Sequence, residues 1–255
     1  MWSFRPSGQA AAGPPTPATF RNLCRSSPWK WQSLRFEYRE TPGPGDGVRA
    51  WLRRPGALRL EDLAGKLLQS TTGINDSRDG LYISATRKSW LLPAHLVTPV
   101  YDDGGRVTRR PEAAYGEPCF GNGLFAAALD PVELAGNAPV PIEFPASNAV
   151  DVAELSEVEH QGRPAWEAVV TPNVTYRPAD PGAPLCLPGT TVVRIDVETA
   201  VCVSSRSLDG TTAGRGHELT ILGVDEYMLD DLFMAESMNL TDVRRHIVWG
   251  GDPAA

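Results

Sequence analysis

The sequence lacks the short motifs of the common catalytic sites. It has no G-x-S-x-G nucleophile elbow, no G-x-x-x-x-G-K phosphate loop, no H-E-x-x-H zinc helix and no dinucleotide fingerprint. Its four cysteines have no C-x-x-C spacing, and its four histidines do not stand at metal-ligand intervals. We therefore expect no metal and no cofactor, and the absence of catalytic motifs favours a protein that is not an enzyme.

Excess positive charge and long apolar runs are also absent. The net charge of −7 argues against nucleic-acid binding, which needs a basic face to neutralise phosphate. No stretch approaches the roughly 18 apolar residues of a membrane span. The N-terminal residues lack the apolar core of a signal peptide, which predicts a cytoplasmic protein with free thiols. A misassigned start codon or a trimmed sequence would instead make export the expectation.

Composition divides the chain into three parts. Residues 1–27 are rich in Pro, Gly, Ala and Ser and cannot bury much surface, so they are predicted to form a flexible arm. Residues 28–240 carry the apolar patterning of a single domain, which is long enough to bury a substantial core. Residues 241–255 are predicted to be a C-terminal tail.

Alternating apolar and polar residues dominate the predicted domain. Leu34, Phe36 and Tyr38 alternate with charged residues, which places the apolar set on one face of a strand. The pattern returns after each turn signal and is strongest from Ala153 to Val224. Strands joined by such short turns must be antiparallel, because parallel neighbours need long crossovers. The sequence therefore predicts a series of antiparallel hairpins.

A helical pattern interrupts the strands between Gly123 and Ala135. Its apolar residues fall on one face: Leu124, Phe125, Ala128 and Leu129. Asp130 is a candidate N-cap for a second short helix, with Pro131 at the first helical position and Glu133 at the capping-box position. Gly136 would end that helix.

Five segments resemble the lipoprotein-carrier superfamily, which includes periplasmic lipoprotein chaperones, mycobacterial lipid-binding lipoproteins and the N-terminal domain of a sigma-factor regulator. They are WLRRPGALRLE (51–61), LDPVEL (129–134), GRPAWEAVVTP (162–172), VVRIDVETA (192–200) and DDLF (230–233). This LolA-like resemblance implies an α+β fold in which a strongly curved antiparallel sheet, an open half-barrel, wraps a few short helices. The family usually has glycine where Ala200 stands, so we expect a different turn type there.

The resemblance also implies a function. Family members carry acylated ligands outside the cytoplasmic membrane, so the first interpretation is a non-catalytic binding protein whose cavity holds an acyl chain or another apolar molecule. Large apolar side chains in or near the predicted strands and helix are expected to line this cavity: Trp51, Trp90, Leu124, Phe125 and Trp166. Tryptophans in these positions are equally suited to fill a closed core.

Two alternatives remain open. The first is a cofactor-independent enzyme of specialised metabolism that uses the same cavity, with His217, Asp196 and Asp225 as candidate residues. His217 next to Glu218 suggests acid–base chemistry, although neighbours on a strand face opposite sides of a sheet. The second alternative is a regulatory module that binds a protein partner through an exposed apolar patch or an unpaired edge strand.

Overall fold

The computed structural model describes residues 14–43, 47–72, 94–112 and 125–234. Within these ranges the chain forms a nine-stranded antiparallel sheet and a separate two-stranded hairpin. The strands of the large sheet are β1 (Ser33–Thr41), β2 (Val48–Arg53), β3 (Ala57–Asp62), β4 (Leu67–Thr71), β7 (Val150–His160), β8 (Arg163–Pro172), β9 (Thr191–Asp196), β10 (Cys202–Ser207) and β11 (Gly216–Val224). The hairpin consists of β5 (Val100–Tyr101) and β6 (Val107–Arg109).

Helices are few and short in the described ranges. The α-helices are α1 (Pro17–Cys24) and α2 (Ala126–Leu129). The 3-10 helices are Ser27–Trp29, Ala94–Leu96, Pro131–Leu134, Pro145–Ser147, Gly210–Thr212 and Asp230–Phe233. In this part of the chain, no helix has the length and apolar character that crossing a membrane would require.

The large sheet follows the order of the sequence with one exception. Its strand order is β4-β3-β2-β1-β11-β10-β9-β8-β7, so neighbours in the sheet are neighbours in the chain except at β1 and β11. The predicted hairpins from Ala153 to Val224 are confirmed as β7 to β11. The pairing of β1 with β11 runs from Leu34 opposite Val224 to Thr41 opposite Gly216. It joins the N-terminal and C-terminal hairpins into one sheet.

The α-helices cover one face of this sheet, called the inner face below; the opposite face is the outer face. Leu34, Phe36 and Tyr38 of β1 point to the inner face and are buried, as the alternation predicts. α1 packs in a cluster with β8 and β9. α2 contributes residues to this cluster and to a second cluster, which lies on β1, β2 and β3. The fold is therefore mainly antiparallel sheet with a few short helices on its inner face.

The predicted flexible arm over 1–27 is wrong from Pro17 onward, because α1 lies there. Thr16 caps this helix by accepting a hydrogen bond from the Thr19 amide at 3.2 Å. Phe20, Leu23 and Cys24, spaced three and four residues apart, are almost completely buried. The polar composition of this segment does not predict a helix, because a single apolar stripe is enough for the helix to pack against the sheet. The predicted tail over 241–255 lies outside the described residues.

The predicted helix between Gly123 and Ala135 forms as two short pieces where it is described. Asp130 precedes the 3-10 helix Pro131–Leu134 as predicted, but its side chain makes no capping hydrogen bond. Its carboxylate pairs with Arg110 instead, at 2.8 Å from Oδ2 to Nη1. The predicted capping box at Glu133 is also absent, because this carboxylate bonds to a distant loop.

The β9–β10 turn keeps a left-handed residue at Ala200, with φ at 59°. The prediction of a different turn type, based on the missing glycine, is therefore wrong. Asp196 holds the turn by accepting hydrogen bonds from the Thr199 amide at 2.7 Å and hydroxyl at 2.6 Å. A left-handed alanine costs about 1–2 kcal/mol, which these hydrogen bonds and the burial of the Ala200 methyl group offset.

The C-terminal described segment, 225–234, crosses the outer face. Met228 and Phe233 are buried there, with Trp51 of β2 packed against them. Arg53 donates to the Met228 carbonyl at 2.6 Å, which ties the segment to the sheet. This segment gives the outer face a small apolar cluster of its own.

Candidate functional site

A pocket of about 170 Å³ opens between the inner face and α2. The end of β1 and the start of β11 meet there, and the loop between β8 and β9 forms another side. Its lining combines polar side chains of the sheet region with apolar side chains of α2 and the loop: Tyr38, Ser205, Arg215 and His217 on one side, Ala128 and Leu187 on the other. This combination can hold an apolar group against a polar floor.

A second cavity, of about 320 Å³, lies on the outer face. Its lining is mostly charged or polar and includes Glu37, Arg39, Gln161 and Glu218. Leu63 is the one aliphatic side chain in the lining of this cavity, whereas α2 and the β8–β9 loop supply several to the inner pocket, which therefore suits an apolar group better.

Ser205 and His217 face each other across β10 and β11 at the floor of the inner pocket. They are directly paired in the ladder, and Ser205 Oγ lies 2.8 Å from His217 Nδ1. The other ring nitrogen, Nε2, lies 2.9 Å from the carbonyl oxygen of Cys202. The Tyr38 ring stacks on the imidazole with a centroid distance of 5.4 Å. These contacts fix both the position and the orientation of the imidazole.

The Cys202 carbonyl determines which nitrogen of His217 carries the proton. A carbonyl oxygen only accepts hydrogen bonds, so Nε2 must be the donor. In the neutral ring Nδ1 then keeps its lone pair, and the Ser205 hydroxyl donates to it. Burial lowers the pKa of His217 below its usual value of 6.5, because the imidazolium would lose its hydration. His217 is therefore a neutral base at pH 7.

This shift makes part of the stability dependent on pH. The unfolded chain protonates His217 near its usual pKa of 6.5, whereas the folded protein does so only at lower pH. The contribution of neutral His217 to the free energy of unfolding is therefore complete above pH 6.5. It is lost as the pH falls through the pKa of the folded protein, by at most about 1.4 kcal/mol per pH unit. We expect the stability difference between the wild type and His217→Gln to shrink between about pH 7.5 and pH 5 in urea unfolding. Parallel pH curves would contradict a neutral His217.

Gly216 allows β10 and β11 to approach at the pocket. A Cβ atom at this position would lie 1.8 Å from the carbonyl oxygen of Ser205. No side chain fits at that distance unless the backbone of β10 moves. Glycine at this position therefore preserves the contact between Ser205 and His217.

Ser204 and Glu218 form the corresponding pair on the outer face. Ser204 Oγ donates to Glu218 Oε1 at 2.7 Å. The prediction that His217 and Glu218 face opposite sides of the sheet is confirmed. Ser204 therefore provides a matched control for Ser205, because the same side chain stands one residue away on the other face.

The other two candidate catalytic residues, Asp196 and Asp225, do not join His217. Asp196 is 1% exposed and holds the β9–β10 turn, where Arg163 Nε donates to its Oδ2 at 2.7 Å. Asp225 accepts a hydrogen bond from the Gln32 amide at 2.6 Å and so fixes the chain ahead of β1. Both carboxylates have structural partners and lie outside the lining of the inner pocket.

The structure separates the residues predicted to line a common apolar cavity. Trp166 lies in the cluster around α1, whereas Phe125 packs edge-on against two aromatic rings of β1. Trp51 lies on the outer face, and Trp90 and Leu124 lie outside the described residues. Trp166 and Phe125 are buried in the core clusters, and neither lines the inner pocket.

Glu133 holds the β8–β9 loop beside the pocket. Its carboxylate accepts hydrogen bonds from the Tyr176 hydroxyl at 2.5 Å and from the amides of Ala179 at 2.7 Å and Leu185 at 2.8 Å. Burial raises the pKa of Glu133, since desolvation outweighs the opposing effect of these hydrogen bonds. Nothing in the local sequence signals this role, because the donors lie in a loop far along the chain.

The described cysteines are free and buried in the cluster around α1: Cys24, Cys186 and Cys202. Burial raises the pKa of all three, to about 12 for Cys24, which makes these thiols unreactive. Cys119 lies outside the described residues. Across the described part of the chain, no group of three or more His, Cys, Asp or Glu residues is placed to hold a metal ion.

Comparisons with known proteins find little. No protein-family model matches the sequence, and no curated protein is similar to it. Among solved structures, a crystal structure of MucB is similar, with a TM-score of 0.34 and 16% sequence identity. The matched region covers 86% of this chain and 63% of the MucB chain. This chain therefore spans less than two thirds of that protein.

Proposed function

We propose that the protein binds a short acyl chain or another compact apolar molecule that carries one hydrogen-bonding group. The inner pocket is the observation that supports this function. Ala128 and Leu187 provide apolar lining, and Ser205 and His217 provide a polar floor. Small-molecule sites are usually concave and combine apolar walls with a few converging polar groups; this pocket is concave and has both, with more polar than apolar surface exposed in its lining.

The size of the pocket limits the ligand. Its volume of about 170 Å³ is smaller than the roughly 300–1,000 Å³ typical of sites for drug-sized molecules. Arg215 and Glu40 bring one charge of each sign to the lining, which gives little preference for a charged ligand. The neutral His217 and the Ser205 hydroxyl suit a ligand that offers a carbonyl, hydroxyl or carboxyl group.

The LolA-like form predicted from the sequence, a strongly curved sheet around short helices, is the framework of this proposal. Two features support it: the large sheet is antiparallel throughout, and the two α-helices of the described ranges pack on the same face. In this form Trp166 and Phe125 are buried in the clusters beneath the helices, and the proposed ligand site is the inner pocket beside them.

Filling the pocket is expected to abolish most of the binding. We expect Leu187→Trp to weaken the binding of octanoic acid, measured by isothermal titration calorimetry, by at least about tenfold, because the indole would occupy the space of the ligand. Leu222→Trp is the matched control, since Leu222 is 37% exposed and lies toward the other end of β11. Equal affinity in both variants, or no binding by the wild type, would contradict the proposal.

A further inference from the structure

The contact between Ser205 and His217 has the features of an activated serine. The hydroxyl donates to the free nitrogen of a neutral imidazole, which can accept its proton. The second nitrogen of the ring is held by a hydrogen-bond acceptor, which fixes the tautomer as the carboxylate does in a serine–histidine–aspartate triad. Here the acceptor is the backbone carbonyl of Cys202. Both side chains line the pocket that is proposed to hold an acyl chain.

We propose that Ser205 is an acyl-accepting nucleophile, that His217 is its general base, and that the protein hydrolyses carboxylic esters of short acyl chains. This inference rests on the proposed function, because the acyl chain of the ester would occupy the same pocket. A neutral ester suits the balanced charges of Arg215 and Glu40. Its carbonyl group also matches the polar floor.

The reaction needs only the ester and water. Ser205 Oγ attacks the carbonyl carbon while its proton passes to His217 Nδ1, and the carbonyl electron pair moves to the oxygen. The tetrahedral adduct then breaks its bond to the alcohol, which takes the proton from Nδ1 and leaves an acyl-serine. Water attacks this ester, with His217 again accepting the proton. Expulsion of Ser205 Oγ, which takes that proton back, releases the carboxylic acid.

The surroundings of the pair support both steps. The Cys202 carbonyl accepts from Nε2 throughout and so stabilises the imidazolium that forms in each step. Tyr38 and Arg215 line the same pocket and carry O–H and N–H donors for the oxyanion. Burial raises the pKa of Tyr38, so its hydroxyl keeps the proton that it would donate.

Covalent labelling tests the nucleophile directly. The full chain is treated with a fluorophosphonate that carries a short alkyl group, and the modified residue is identified by mass spectrometry of peptides. We expect phosphonylation of Ser205 in the wild type and in Ser204→Ala, and none at this position in Ser205→Ala. His217→Gln should slow the labelling by about 100-fold or more, the usual effect of losing a general base. Hydrolysis of p-nitrophenyl butyrate should fall in the same variants.

The outcomes separate this inference from the proposed function. If the wild type binds octanoic acid but Ser205 stays unmodified, the nucleophile is excluded and the binding function stands. If Ser205 is labelled although octanoic acid does not bind, the nucleophile stands and the proposed ligand class is wrong. Ester hydrolysis that is equal in Ser204→Ala and Ser205→Ala would also overturn the assignment. Because the modified residue is identified in the wild type, the result does not depend on how well a variant folds.

Discussion

Replacing Asp130 with asparagine is expected to lower the free energy of unfolding by about 3–5 kcal/mol, as is usual when one partner of a buried ion pair is removed. Asp130 and Arg110 form two parallel hydrogen bonds, and their side chains are only 5% and 6% exposed. Arg110 also donates from Nε to the Arg25 carbonyl at 2.9 Å. Without the Asp130 carboxylate, the Arg110 guanidinium stays buried and its charge is uncompensated.

An exposed ion pair of the same kind provides the control for this prediction. Asp230 pairs with Arg53, but its side chain is 70% exposed. Asp230→Asn should therefore cost less than about 1 kcal/mol, because water solvates the remaining charge. Urea unfolding followed by far-UV circular dichroism compares the two variants with the wild type. Losses of similar size in both variants would show that burial of the Asp130 pair has no energetic consequence.

Replacing Trp166 with alanine is expected to lower the free energy of unfolding by about 3–5 kcal/mol as well, the usual loss for a buried aromatic side chain. Trp166 is 3% exposed and packs in the cluster around α1. The Arg106 guanidinium lies 5.3 Å from the centroid of its ring. The truncation would leave a cavity between β8 and α1 and remove this cation–π contact.

The same variant distinguishes two roles for the tryptophan. The sequence alone predicts that Trp166 lines the ligand cavity, so that its loss weakens binding. In the structure it does not line the inner pocket, and the folded fraction of Trp166→Ala should bind octanoic acid like the wild type. Trp51→Ala is the control for stability, because Trp51 is only half-buried on the outer face. A large loss of affinity in folded Trp166→Ala would show that Trp166 belongs to the binding site.

The strands could be predicted because their signal is local. Leu34, Phe36 and Tyr38 alternate with charged residues, and a period of two defines both the strand and its buried face. The hairpins β7–β8, β9–β10 and β10–β11 follow from short connections, which force antiparallel pairing, whereas the long loop between β8 and β9 does not. Composition was a poorer guide, since it placed α1 in a flexible arm although Phe20 and Leu23 are buried.

The pairing of β1 with β11 could not be read from the sequence, and the candidate site depends on it. It brings Tyr38, near the start of the described chain, against His217, near its end. His217 was recognisable as a candidate because few residue types titrate near pH 7. Ser205 was missed, since serine is common and carries no such signal. Pairing β10 with β11 around their connecting loop would have placed Ser205 opposite His217.

The sequence by itself determined the strands that alternate clearly, such as β1 and β8, and which of their side chains turn toward the core. The tertiary structure decided which of these buried side chains fill the core and which line a pocket, and it supplied the partners of Asp130, Glu133 and His217. The physical reason is the range of the interactions. Alternation is set by neighbouring residues in a strand, whereas a site is set by contacts between segments that meet only when the whole sheet has formed. The hairpins from Ala153 to Val224 were therefore predictable, and the serine that faces His217 within them was not.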